Sequence, residues 1–172
     1  MVFVGLGIVH CLKMIYIGVF DMRKISQEKA LEQLRSLVGT PFTYGFKSPD
    51  MDLFDLGFGE KKQFINFLGK MQETCKYHLH FTSEFHLKWK NGVNDIYDID
   101  TETDEFQKDI QPLLGLPIKR IALSSKNDLW LDFGVCYGCV VTYEDQRESW
   151  RFLIPGTDAP HLVALGCDLV LE

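Results

Sequence analysis

The chain has 172 residues, 46% of them hydrophobic and 24% charged, which are globular values that exclude disorder over most of its length. That length suits one domain or two closely packed halves, and it buries enough surface to fold without disulfide staples. A formal net charge of -6 argues against a nucleic-acid backbone as the main partner. Phosphate binding needs clustered cations, and the pairs Lys88/Lys90 and Lys119/Arg120 are too small to form a groove.

The first stretch, 2–20, is almost wholly apolar but is broken by His10 and Lys13. A spanning helix wants about 20 apolar residues and tolerates a central lysine poorly. A signal peptide would put its charge first and end on small residues. The segment 1–21 is therefore expected to be an apolar N-terminal extension outside the domain, with Met14 and Met22 as alternative starts. A membrane anchor through 2–20 and an added strand are the alternatives.

Apolar spacing predicts a helix over 26–38, capped by Ser26 and stopped by Gly39 and Pro41. Its core face is Leu31, Leu34 and Val38, with Ala30 and Leu37 beside them. Strands are expected over 41–46 and 51–58, turning at Ser48-Pro49-Asp50. Phe64, Phe67, Leu68 and Met71 have helical spacing, so 60–73 is expected to be a short amphipathic helix. Strict alternation then predicts strands over 77–82 and 85–90, with Tyr77, Leu79 and Phe81 facing inward. An acidic loop follows over 95–104, anchored by Ile96 and Ile99, and then a helix over 104–110. From Leu116 the pattern is all strand: 118–123, 128–133, 135–143, 150–154, 161–165 and 168–171.

Two parts of the chain correspond. Leu37-Val38-Gly39-Thr40-Pro41-Phe42 matches Leu113-Leu114-Gly115-Leu116-Pro117-Ile118, and Phe58-Gly59 matches Phe133-Gly134. The expected fold class is thus α+β, mostly antiparallel sheet from two similar halves with two or three short helices. It forms a single domain over 22–172 with pseudo-repeat halves 26–92 and 103–172.

Three of the five histidines lie between Tyr77 and Leu87. His78 and His80, two apart on a strand, point to the same side. With His86 or Glu84 as a third ligand they could bind zinc or a similar ion. The alternative is a polar outer face of a half-buried sheet. The five cysteines are odd in number and irregularly spaced, as for reduced thiols in a cytoplasm. Cys136 and Cys139 form a single Cys-x-x-Cys within a strand pattern, where they read as small buried hydrophobes, because a zinc site needs a tight turn and a second ligand pair.

Glu148 and Trp150 should share one strand face and Arg151 the other. Arg151 is expected to pair with an acidic group such as Asp95, or with Trp150 to anchor a partner. Asp98, Asp100 and Asp104 form an acidic run that could meet a basic partner. It lacks the spacing and glycine of an EF-hand. No Gly-x-Ser-x-Gly, phosphate-binding glycine loop or His-Glu-x-x-His is present.

The residues Tyr77, Leu79, His80, Phe85 and Leu87, then Asp95-Ile96-Tyr97, and finally Glu148, Trp150, Arg151, Phe152 and His161 carry a resemblance. From about Leu34 to the end, the chain resembles a group of small uncharacterised bacterial proteins with a Tyr-x-Leu-His, Asp-Ile-Tyr, Glu-x-Trp-Arg-Phe pattern. His86 stands where that pattern has arginine. The resemblance implies a compact, bacterial, cytosolic α+β domain and no particular activity.

The expected function is a non-enzymatic protein-binding module in the cytoplasm, in its concrete form an immunity-like neutraliser of a basic protein, without a cofactor. The alternative is a metal-binding protein or metal-dependent enzyme, with zinc on the His78/His80 strand.

Overall fold

The computed structural model describes residues 22–50, 52–65 and 69–172. The apolar stretch 1–21 lies outside them, as do Phe67 and Leu68. The chain begins with a short strand β1 (Arg23–Lys24), helix α1 (Gln27–Leu34) and a 3₁₀ turn (Arg35–Leu37). Five strands follow: β2 (Phe42–Lys47), β3 (Phe54–Ile65), β4 (Met71–Phe81), β5 (Phe85–Trp89) and β6 (Asn94–Tyr97). Then come helix α2 (Thr103–Ile110) and a second 3₁₀ turn (Gln111–Leu113). The remainder is β7 (Arg120–Leu123), β8 (Leu129–Asp132), β9 (Cys136–Val140), β10 (Glu148–Leu153), β11 (Leu162–Leu165) and β12 (Asp168–Leu171). Mostly antiparallel sheet with two short helices is an α+β architecture. Among the described residues no helix is long and apolar enough to cross a membrane.

The strands form two sheets, β1-β12-β11-β10-β4-β3-β2 and β6-β5-β9-β8-β7. The chain crosses between them twice, at 82–84 and at 141–147. The crossings bind each other: Thr82 N donates to Ser149 O, Val141 N to Glu84 O, and the Tyr143 hydroxyl to Thr82 O at 2.6 Å. The inward faces share one core. Phe54 stacks on Phe81 at 4.9 Å, Phe81 meets Phe85 at 5.4 Å, and Phe106 of α2 packs edge-on against Phe54, Phe85 and Tyr97. Below the helix ends, Gly39 N donates to Ile118 O and Gly115 N to Phe42 O. Phe42 N donates to Leu116 O and Ile118 N to Thr40 O.

Ser26 caps α1 by accepting from Lys29 N, and Ala30, Leu34 and Leu37 are buried as the spacing predicts, whereas Val38 is exposed. Three expectations are corrected. The segment expected as a helix over 60–73 is instead the end of β3 and the start of β4, paired from Lys61↔Cys75 onward. Part of the acidic loop is strand β6, which pairs with β5. Ile96 and Ile99 do not anchor it but are exposed, at 61% and 48%.

Candidate metal centre

Strand period decides what lies on the outer face of the seven-stranded sheet. Tyr77, Leu79 and Phe81 are buried inward, so His78 and His80 point outward. The same alternation in Phe54-Asp55-Leu56 turns Asp55 outward between two buried apolar residues. The register sets Asp55 directly opposite His80, and Gly57 opposite His78. On the next strand Tyr44 lies opposite Gly57. The missing side chain at Gly57 leaves room for the Tyr44 ring to lean toward the site.

These placements converge on one carboxylate. Asp55 Oδ1 lies 3.0 Å from His78 Nδ1 and 3.4 Å from His80 Nε2. The Tyr44 hydroxyl donates to Asp55 Oδ2 and lies 3.1 Å from His78 Nδ1. The far nitrogen of His78, Nε2, is 2.7 Å from Thr74 Oγ1. Burial alone would raise the Asp55 carboxyl, but hydrogen bonds from His78 and His80, with their charge, outweigh it and hold the group well below the usual carboxylate range. Burial, then the neighbouring Asp55 charge, pushes the Tyr44 phenol up, so it stays protonated and can donate.

Potential ligand atoms of Asp55, His78 and His80 all lie within 4.8 Å of one another. They form the floor of a groove of about 460 Å³. Its walls mix apolar Phe46, Leu53, Leu153 and Pro155 with polar Gln72 and Thr74. Two imidazoles and one carboxylate are a donor set for zinc or ferrous iron, and three protein ligands leave positions open on the ion.

The third member differs from the expected one. Glu84 and His86 pair with each other at 2.9 Å, but β5 belongs to the other sheet. Neither joins His78 and His80. The sequence signal for Asp55 was a charge set between the apolar residues Phe54 and Leu56.

The other expected residues are scattered. Trp150 is fully buried and donates through Nε1 to Asn127 O at 3.0 Å, which makes it core and out of a partner's reach. Arg151 lies beside His80 in the sheet, but Asp95 is not its partner. A register shift between Glu148 and Trp150 brings Glu148 to Arg151, which donates to both Glu148 carboxylate oxygens at 2.9 and 2.8 Å and also to Glu172. Burial works against the Arg151 charge, yet Glu148 and Glu172 raise its pKa overall. Asp95 instead accepts from Trp89 Nε1 at 3.0 Å. Asp98 closes its own turn by accepting from Asp100 N and Thr101, while Asp100 and Asp104 are exposed. Cys136 and Cys139 are buried on β9, with Gly138 inside the strand rather than in a turn.

Comparison with family models, with curated proteins and with solved structures finds no match to this chain, so its site is read from its own geometry.

Proposed function

We propose that the protein binds a divalent transition-metal ion through Asp55, His78 and His80 and presents the open side of that ion to the groove. The observation that carries this is the Asp55 Oδ1 position, 3.0 Å from one imidazole nitrogen and 3.4 Å from another. An ion about 2.1 Å from each ligand separates neighbouring ligands by about 3.0 Å in an octahedron and about 3.4 Å in a tetrahedron. Two of the three ligand separations therefore already suit an ion, and the third, between the two imidazole nitrogens, lies within 4.8 Å and must shorten as the rings turn inward. An ion so held, with free positions beside a partly apolar groove, suits metal-assisted chemistry on a small molecule better than a structural role.

We also infer that the two halves are versions of one unit. The reciprocal hydrogen bonds of Gly39 and Gly115, and of Phe42 and Ile118, support this reading. So do the strand registers: Lys47, Phe54, Phe81 and Trp150 form a row in one sheet as Leu123, Leu129, Val140 and Phe85 do in the other. On that correspondence the counterparts of Asp55, His78 and His80 are Trp130, Tyr137 and Cys139. A fold that accepts those residues on one sheet does not require a carboxylate and two imidazoles on the other, which favours a functional reason for them.

Elemental analysis of purified protein tests the site. About one zinc or iron per chain is expected in the wild type, and none in the His78→Ala/His80→Ala double variant. Equal metal in both, in folded protein, contradicts it.

A second reading, a protein-binding module for a basic partner, is favoured by exposed Asp98, Asp100 and Asp104 beside exposed Ile96 and Ile99. It predicts a basic protein captured stoichiometrically from the source cell and lost when the three aspartates become asparagine. Capture that survives those changes removes this surface from consideration.

A further inference from the structure

We propose that Thr74 and Tyr44 are the positioning residues of this site: together they make His78 Nδ1 and Asp55 Oδ1 the atoms that meet the ion. The inference rests on the metal reading of Asp55, His78 and His80, and deepens it.

Thr74 comes first. Its hydroxyl lies 2.7 Å from His78 Nε2. The two residues are four apart on β4, and an extended strand would separate their backbones by about 13 Å. A histidine and a threonine reaching toward each other cannot span that, so the strand must bend between them. The facing strand has a register shift between Phe58 and Lys61, and Gly59 there takes a φ of 82°. A bulge of this kind bends its ribbon. The bend carries Thr74 over the outer face and onto the imidazole.

The contact is one that the tautomer of a metal-bound ring can use. A neutral imidazole holds one proton and one lone pair, on opposite nitrogens. When the Nδ1 lone pair is given to an ion, the ring's proton sits on Nε2 and finds an acceptor in Thr74 Oγ1. Metal-bound histidines depend on such a partner at the far nitrogen to fix ring and tautomer. His78 Nδ1 lies 3.0 Å from Asp55 Oδ1, to which it can donate, so a proton held there must leave when an ion enters.

Tyr44 acts on the other ligand. Its hydroxyl donates to Asp55 Oδ2. That engages Oδ2, which lies 3.2 Å from His78 Nδ1, and leaves Oδ1, at 3.0 Å from His78 Nδ1 and 3.4 Å from His80 Nε2, as a single-oxygen ligand.

The experiment titrates apo protein with Co(II), reading affinity by calorimetry and coordination by the visible absorption of the bound ion. Thr74→Val removes the acceptor at nearly constant volume and should weaken Co(II) binding by roughly 10- to 100-fold, with Thr74→Ser restoring it. Tyr44→Phe frees Oδ2 and should alter the shape and intensity of the Co(II) bands. A purely structural role would lower the unfolding midpoint and leave the spectrum and affinity unchanged. Wild-type protein that binds no Co(II) overturns the metal reading and this inference with it. Wild-type binding retained unchanged in Thr74→Val and Tyr44→Phe overturns this inference alone and leaves the site standing.

Discussion

Cys136 and Cys139 show how a single side chain's surroundings decide its chemistry. Burial pushes both thiols up to about 12, with nearby Asp132 adding to the shift at Cys136 and Asp128 at Cys139. In the unfolded chain they ionise near the ordinary value of 9.0. A raised folded-state pKa gives stability that is fully present below the unfolded value and is lost as pH rises through the folded one. Unfolding free energy should therefore fall between about pH 9 and pH 12, each thiol steepening the slope by up to about 1.4 kcal/mol per pH unit. Urea denaturation across that range tests it. The Cys136→Ala/Cys139→Ala variant should show a shallower alkaline slope, and an unchanged slope would contradict the assignment. The bland reading of this Cys-x-x-Cys was legible because positions three apart on a strand face opposite ways. Asp55 was not legible as a ligand, since its place between Phe54 and Leu56 marks an outward strand position but not which residues of the neighbouring strand stand beside it.

At the level of elements, the β3–β4 hairpin builds the site and was also the part least legible in sequence. Its outer end exposes Glu60, Lys61, Lys62 and Gln63 on one strand and Met71, Gln72 and Glu73 on the other. These consecutive residues are exposed, so no period of two is imprinted on them, and the apolar spacing across 64–71 in the sequence mimics a helix. What holds the arm is backbone pairing, from Lys61↔Cys75 outward. The exposed Lys61–Glu73 ion pair at 2.8 Å adds little. Gly57 is the sensitive position. A Cβ there would come within 2.2 and 2.5 Å of the Tyr44 ring and 2.9 Å of Cys75 Sγ. Gly57→Ala should thus cost about 1–3 kcal/mol through overpacking and push Tyr44 off Asp55, weakening metal binding as well. Denaturation midpoints paired with metal titration measure both effects. Wild-type values in both would show that the ring is not held as described.

On the scale of the whole molecule, the strands from Ile118 onward were legible individually, because alternation and turn residues mark them. Their division between two sheets was not. In sequence the crossings at 82–84 and 141–147 read as strand ends followed by ordinary turns, and only tertiary pairing sends β5 to the second sheet and β10 to the first. That division removes His86 and Glu84 from the histidine pair and the β3–β4 register supplies Asp55 instead. Register is a long-range property that a one-residue slip would invert, and no single strand encodes it. The site is thus a product of the assembled sheet, and its central claim is that an ion completes it. The most direct test is calorimetric titration of the apo protein with Zn(II), run beside Asp55→Asn. The account predicts a single site per chain in the wild type and binding weakened by at least tenfold in the variant. A wild type that takes up no Zn(II), or an Asp55→Asn protein that binds it as tightly, would contradict the account.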